Sequence, residues 1–120
     1  MLIQEASKSP DLTDLERMVL ETACAVTGIG DGYGSQIAAA KVSVRTPSGV
    51  GVVTKIEVPR ELCHKDPAAS LPVVIGDHPS LPSGAEFILQ VKGGRIHSIE
   101  AFCYEGMWPQ DESLFKLRVD

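Results

Sequence analysis

Thiol and imidazole groups are concentrated in one stretch of the chain, the Cys63–His78 loop. Cys63 and His64 are adjacent, Asp66 follows them, and His78 closes the stretch. Such side chains can bind zinc, and a thiol beside an imidazole can act as a nucleophile. A structural zinc site needs about four ligands, commonly in closely spaced pairs, and the loop has neither Cys-x-x-Cys nor His-Glu-x-x-His. We interpret these residues as ordinary loop residues, and a small enzyme or a metal- or ligand-binding domain using this loop is the alternative.

Other catalytic patterns are absent from the sequence. No serine lies in a Gly-x-Ser-x-Gly frame, which is the usual setting of a hydrolase nucleophile. The glycine-rich stretch 28–34 has the letters of a phosphate-binding loop, but such a loop follows a strand and opens a helix. Here we expect it to follow a helix and precede a strand, as a simple connection. We therefore predict a protein that is not an enzyme and that needs no cofactor.

The most distinctive segment combines the only tryptophan with carboxylates. No lysine or arginine occurs between Ile96 and Phe115. Tryptophan is enriched among binding hot spots, and carboxylates speed association with a basic partner. Two structural alternatives stay open: the tryptophan covers the core, or the first of the acids is a half-buried structural carboxylate. The segment predicts a partner-binding surface made of Glu100, Glu105, Trp108, Asp111 and Glu112.

The composition limits the protein to a few classes. The chain has 120 residues, with 11 basic and 16 acidic side chains, and its net charge is −5. This length predicts a single domain over residues 1–120. An acidic surface repels phosphate backbones, so we expect no nucleic-acid partner. An odd number of cysteines indicates free thiols in the cytosol. The N-terminus has no signal-peptide pattern and no apolar run is long enough to span a membrane, so we predict a cytoplasmic protein.

Helical periodicity dominates the N-terminal part. The pattern predicts a helix over about 10–26, which Gly28 ends. Its start is either Ser9-Pro10, as N-cap and first helical residue, or the capping box of Thr13 and Glu16. The apolar stripe consists of Leu12, Leu15, Val19, Ala23 and Val26.

Alternating apolar and polar residues predict two β-hairpins further along. The first joins residues 38–45 to 50–58, and the second joins 86–92 to 95–104 around Gly93-Gly94. The alternation is imperfect in 95–104, so either a bulge shifts the register or both faces are covered.

Shorter strands complete the predicted sheet. They are expected at 71–75 and 114–119, and the rest of 59–85 reads as irregular chain. The fold class is therefore α+β, with one N-terminal helix packed on a mostly antiparallel sheet of four to six strands built from two hairpins.

The C-terminal strand and turn resemble a known family. Residues 95–109, which read RIHSIEAFCYEGMWP, follow a glycine turn and resemble the C-terminal pattern of small bacterial immunity-type proteins, including those of contact-dependent growth inhibition systems. In that pattern a strand of the form hydrophobic-x-x-Leu-Glu-x-Tyr-x-Tyr-Asp-Gly runs into Trp-Pro. Here Ile99, Phe102 and Glu105 stand in place of leucine, tyrosine and aspartate.

The resemblance implies a function. It implies a non-enzymatic cytosolic protein that binds and neutralises a cognate toxin domain delivered by a neighbouring cell. Many such toxins are nucleases with basic substrate-binding faces, so the expected partner is a basic protein domain that an acidic surface can cover. Neither a membrane nor a nucleic acid is expected as a partner. A homodimer through exposed sheet edges is an open alternative.

Overall fold

The computed structural model describes residues 11–26, 32–64 and 71–119. Six antiparallel strands form one sheet in the order β1-β2-β5-β4-β3-β6. The predicted α+β class is confirmed. The elements are α1 (Asp14–Cys24), α2 (Gly34–Ala39), β1 (Lys41–Pro47), β2 (Gly51–Glu57), β3 (Val74–His78), β4 (Leu81–Lys92), β5 (Arg95–Cys103) and β6 (Lys116–Arg118), with 3-10 turns at Arg60–Leu62 and Glu112–Leu114.

Helix α1 begins at the second of the two predicted starts. The Thr13 hydroxyl accepts from the Glu16 N–H at 3.1 Å, and the Glu16 carboxylate accepts from the Thr13 N–H at 2.8 Å. This reciprocal capping box satisfies two N–H groups that a helix start leaves without partners. Ser9-Pro10 lies outside the described residues. The helix starts about one turn later than residue 10 and buries Leu15, Val19, Leu20 and Ala23 against the sheet.

The glycine-rich stretch leads into a second short helix rather than directly into a strand. Helix α2 covers Gly34–Ala39, where we expected β1 to begin at residue 38. The expectation failed because Ala38 and Ala40 fit a strand's alternation and also suit a helix. Residues 28–31 of this stretch lie outside the described residues.

The strand β4 is longer than the sequence predicted. It starts at Leu81, although residues 81–85 were expected to belong to the proline-rich irregular chain of 59–85. The pairs Gly76–Ala85 and His78–Leu81 leave three β4 residues opposite one β3 residue. Proline and glycine are tolerated in such an irregularity, and Gly84 has a φ of +69°.

A bulge in β5 explains its imperfect alternation. Gln90 pairs with Ser98 and Val91 pairs with Ile96, so His97 has no partner residue on β4. One extra residue reverses which side chains face the core. The first of the two interpretations of this strand is therefore confirmed.

The molecule has two layers. The Cα atoms span 39 × 37 × 18 Å, and a thickness of 18 Å accommodates one sheet and one layer of helices. We name the side of the sheet under α1 the closed face and the opposite side the open face. The closed face contains the apolar core, and no helix among the described residues has the length and apolar character needed to cross a membrane.

Candidate functional site

His78 has a structural environment on the closed face. Its Nδ1 accepts the backbone N–H of Ser80 at 3.1 Å, and its Nε2 lies 2.8 Å from the carbonyl oxygen of Asp111. Because Nδ1 accepts, the proton sits on Nε2 and is donated to that carbonyl. The ring is buried and meets Phe115 edge-on at 4.9 Å. Both ring nitrogens are therefore occupied in holding the β3–β4 turn to the C-terminal segment.

Cys63 and His64 lie at the other end of β4. The His64 N–H donates to the Gly94 carbonyl at 2.6 Å, and the His64 ring stacks on Tyr33 at 4.7 Å. Gly94 follows the C-terminal end of β4, whereas His78 lies before its N-terminal end. A strand of 12 residues spans about 40 Å when extended.

The structure therefore does not bring the residues of the Cys63–His78 loop together. His78 is too far from Cys63 and His64 to share a metal ion or a proton with them. Asp66, the other candidate ligand, lies outside the described residues. Within 11–26, 32–64 and 71–119, no three His, Cys, Asp or Glu side chains are grouped as a metal site.

Trp108 packs inward, as the first structural alternative predicted. Its ring contacts Phe87 edge-on at 5.8 Å and Phe115 at 5.2 Å. Its indole N–H donates to the Glu112 carboxylate at 2.8 Å, and its backbone N–H donates to the Gly49 carbonyl at 2.8 Å. Trp108 and Glu112 therefore close the core at the side of α1.

The remaining acids of the C-terminal turn serve local hydrogen bonds. Glu105 accepts from the Ser83 hydroxyl at 2.6 Å. Asp111 accepts from the backbone N–H of Ser113 at 3.0 Å and from its hydroxyl. These bonds to Ser113 lower the pKa of Asp111, because they stabilise its charged form. Both carboxylates are exposed, and their predicted contact with a partner stays a prediction.

Glu100 lies on the open face, apart from Trp108 and Glu112. It alternates along β5 with Ile99 and Ala101, which are buried on the closed face. Its cross-strand neighbours are Val53 on β2 and Ile88 on β4. The carboxylate is exposed rather than half-buried. The five residues predicted as one surface are therefore divided between the two sides of the sheet.

An aromatic and acidic patch surrounds Glu100. Phe102 and Tyr104 meet edge-on at 5.3 Å, and the Tyr104 hydroxyl donates to the Glu86 carboxylate at 2.8 Å. That hydrogen bond raises the pKa of Tyr104, because the phenol proton is held by the carboxylate. Tyr104 is 60% exposed, whereas Phe102 and Ile88 are half-buried. We name this set the central patch: Glu86, Ile88, Glu100, Phe102 and Tyr104.

Four members of the central patch were not among the predicted partner-binding residues. Glu86, Ile88, Phe102 and Tyr104 lay in the strands predicted at 86–92 and 95–104. The signal that could have found them is parity, because residues paired across an antiparallel ladder point to the same face. The turn at Gly93-Gly94 alone would pair Glu86 with Ala101, and only the shift at the His97 bulge gives the observed pairs Glu86–Phe102 and Ile88–Glu100.

A buried ion pair supports the closed face behind the patch. The Arg45 guanidinium donates to both oxygens of Glu16, each at 2.8 Å, and the Thr54 hydroxyl donates to Glu16 at 3.0 Å. Burial would raise the pKa of Glu16, but the hydrogen bonds from Arg45, Thr13 and Thr54 outweigh it and hold the pKa below 4.5. The pair fastens the start of α1 to the first hairpin, and we assign it a structural role.

Comparison of this chain with protein-family models, with curated protein sequences and with solved structures finds no match.

Proposed function

We propose that this protein is a non-enzymatic, immunity-type binding protein that neutralises a cognate toxin domain in the cytoplasm. The observation that carries the proposal is the central patch, where two aromatic rings lie beside two carboxylates on a sheet face. Aromatic side chains supply contact area at a small entropic cost, and carboxylates give orientation and a fast association rate. The resemblance of residues 95–109 to immunity-type proteins also supports this proposal.

The charge of the patch favours a basic partner. Glu100 forms no hydrogen bond or ion pair with any described residue. Glu86 accepts a hydrogen bond from the phenol of Tyr104 and forms no ion pair with a described cation. Because these two carboxylates lie beside apolar side chains, a partner that covers them must supply cations or lose binding energy to desolvation. A basic nuclease-type toxin domain has that chemistry.

The placement of the residues changes which of them should contact the toxin. Glu100 and Tyr104 are at the centre of the proposed interface. Trp108 and Glu112 hold the closed face together, so we expect them to act on binding through stability. Glu105 and Asp111 are exposed, and we keep them as candidates for its rim.

The experiment is co-expression with the product of the neighbouring upstream gene, followed by a binding titration and a growth assay. We expect the neighbour to be a toxin, to bind with sub-micromolar affinity and to be neutralised in cells. Glu100→Lys should weaken binding at least about tenfold, because it places a cation against a basic partner.

The matched control is Glu21→Lys, which makes the same charge change at an exposed position of α1. It should change the affinity less than about twofold, since a remote surface charge mainly alters long-range steering. If the neighbouring product is not a toxin and nothing basic binds at sub-micromolar concentration, the proposed function is wrong. If both substitutions weaken binding equally, net charge rather than the central patch drives association.

A further inference from the structure

Strands β2 and β5 separate at one end of the sheet. Their pairing ends at Lys55–Ser98, although both strands continue in the direction of the Gly93-Gly94 turn. The backbone N–H of Ile96 donates to the Oε1 of Gln36 at 2.9 Å instead of to β2. The bulge at His97 turns β5 away from its neighbour at this point. The separation opens a groove of about 770 Å³ between the two strands.

The groove is basic although the chain is acidic. Four cations and one carboxylate line it, which gives the groove a charge of 4 − 1 = +3, whereas the chain has −5. No described carboxylate forms a salt bridge with any of the four cations. The charged side chains are Lys55, Glu57, Arg60, Lys92 and Arg95.

The positive charges of the groove affect the pKa of His97. Burial lowers the pKa of its imidazole, and the charges of Lys92, Lys55 and Arg95 lower it further. Glu57 is the acidic side chain that lines the same groove, but it does not reverse the direction. The charges of Lys55, Lys92 and Arg95, from β2, the end of β4 and β5, therefore outweigh that of Glu57 at His97.

The size and lining of the groove indicate what fits it. Small-molecule sites commonly have volumes of about 300–1,000 Å³ and combine apolar lining with a few polar groups. The apolar part of the lining consists of the exposed Pro59 and the edges of Ile56, Val58 and Ile96, which are otherwise buried in the core. Several lysine and arginine side chains around one space are suited to multiply charged phosphate groups, which accept charge-assisted hydrogen bonds.

We propose that this groove binds a small organic polyphosphate, with the phosphates held by Lys55, Lys92 and Arg95 and the organic part against the apolar lining. The site lies at the end of the sheet and shares no lining residue with the central patch. Binding at this groove requires only this chain and does not depend on a toxin partner.

The test is a titration of the isotope-labelled chain with ATP, tripolyphosphate and adenosine, followed by NMR. We expect ATP to give saturable shifts at residues 55–60 and 92–97, and tripolyphosphate to compete for the same residues. Adenosine should not saturate at the same concentration. Lys55→Gln with Lys92→Gln should weaken ATP binding about tenfold, since two charge-assisted contacts are lost. Arg95 is kept, because its guanidinium donates to the Val58 carbonyl at 3.0 Å.

The control is Lys41→Gln with Lys116→Gln, which removes the same charge at exposed positions outside the groove. It should change the affinity less than about twofold, and thermal unfolding checks that both double variants are folded. The proposal is overturned if no saturable shifts appear up to about 10 mM ATP, which places the dissociation constant above the millimolar range, or if both double variants weaken binding equally. Tighter binding of a single-stranded RNA oligonucleotide than of ATP would also overturn it, in favour of a nucleic-acid surface.

Discussion

The three cysteines have three different environments. Cys63 is exposed, Cys103 is buried with its Sγ 3.7 Å from the Gly106 carbonyl, and Cys24 is half-buried. Burial, with a smaller contribution from the charge of Glu21, raises the pKa of the Cys24 thiol to about 11. Since the thiolate is the reactive form, the raised pKa disfavours Cys24 and burial shields Cys103, so we expect the exposed Cys63 to be the reactive thiol.

We therefore predict one fast thiol in the native protein at pH 7.5. Reaction with a chromogenic disulfide reagent should modify Cys63 at least about tenfold faster than Cys24 and Cys103. The Cys63→Ser variant should lose the fast phase, and all remaining thiols should react after denaturation. Two fast native thiols would contradict the environments described above. A Cys63 rate far above that of free cysteine would revive a catalytic role for this residue.

At the scale of single residues, the sequence shows which polar side chains are present but not which distant residues they contact. Gln36 is fully buried, and its amide bridges the carbonyls of Leu62 and Gly94 and the N–H of Ile96. These partners are 26, 58 and 60 residues away in the chain, so no local pattern could have pointed to them. The distance between His64 and His78 could not be predicted for a related reason. The two residues are close in sequence, but the structure places them at opposite ends of β4.

At the scale of elements, the Glu16–Arg45 pair joins the first turn of α1 to β1. Both side chains are mostly buried, with 11% and 17% exposure. Removing one member of such a pair leaves the other charge buried without compensation. We predict that Glu16→Ala lowers the free energy of unfolding by about 3 kcal/mol, measured by urea denaturation.

The exposed Lys41–Asp11 ion pair is the control for the buried Glu16–Arg45 pair. Its side chains are 61% and 69% exposed, so Lys41→Met should cost less than about 1 kcal/mol. Equal losses in the two variants would mean that the buried pair contributes no more than a surface one. Arg45→Met should reproduce most of the Glu16→Ala loss, because it breaks the same pair from the other side.

The helices and strands could be predicted from the sequence where only one hydrophobic periodicity fitted the residues. The α1 stripe and the two hairpins follow from periods of 3.6 and 2 with glycine at the turns. Helix α2 was missed because alanine at 38 and 40 satisfies both periods. The start of β4 was missed because Pro82 and Gly84 suggest a loop, and only pairing with β3 shows that an irregular ladder accommodates them.

The two edges of the sheet have little capacity for pairing with another chain. Strand β1 contains Lys41 and Pro47, and the ladder slips at Ser43. The opposite edge, β6, has three residues. Charges, prolines, bulges and short strands are the features that discourage edge pairing. A homodimer, if one forms, is better served by the open face than by either edge.

At the scale of the whole molecule, we predict that acid destabilises the fold in two steps. The pKa of His97 is below 6.5 in the folded chain, so the unfolded chain takes up that proton first as the pH falls. Glu16 behaves in the same way below pH 4.5, because its folded pKa is also lowered. In each case the unfolded state binds more protons, and stability decreases as the pH drops through the folded pKa.

Urea denaturation at a series of pH values between 8 and 3 checks this order. His97→Gln should remove the loss that begins near pH 6.5 and leave the loss below pH 4.5. Stability that rose between pH 7 and 5.5 would contradict the direction assigned to His97. Bound polyphosphate should reduce the first step, since an anion in the groove favours the charged imidazole.

The groove shows which part of a site a sequence cannot reveal. Its cations come from β2, the 3-10 turn at residues 60–62, the end of β4 and the start of β5, and they are spread over residues 55–95. The sequence shows an acidic chain with basic residues clustered around the first hairpin and residues 55–65, but it does not show that Lys92 and Arg95 join them. Folding brings these cations together at the end of the sheet where β2 and β5 separate, beside the bulge at His97.

The position of Phe115 has a consequence for synthesis on the ribosome. Its ring fills the space beside Gly76, where an added methyl group would lie 2.9 Å from it, and it also contacts Phe87 and Trp108. Strand β6 follows directly and pairs with β3. Strands β1 through β5 of a nascent chain can therefore form the sheet before β6 is made. At that stage β3 is an unprotected edge strand, and the aromatic cluster lacks the ring of Phe115. The rate of translation therefore sets how long the incomplete domain exposes an edge strand that can pair with another chain.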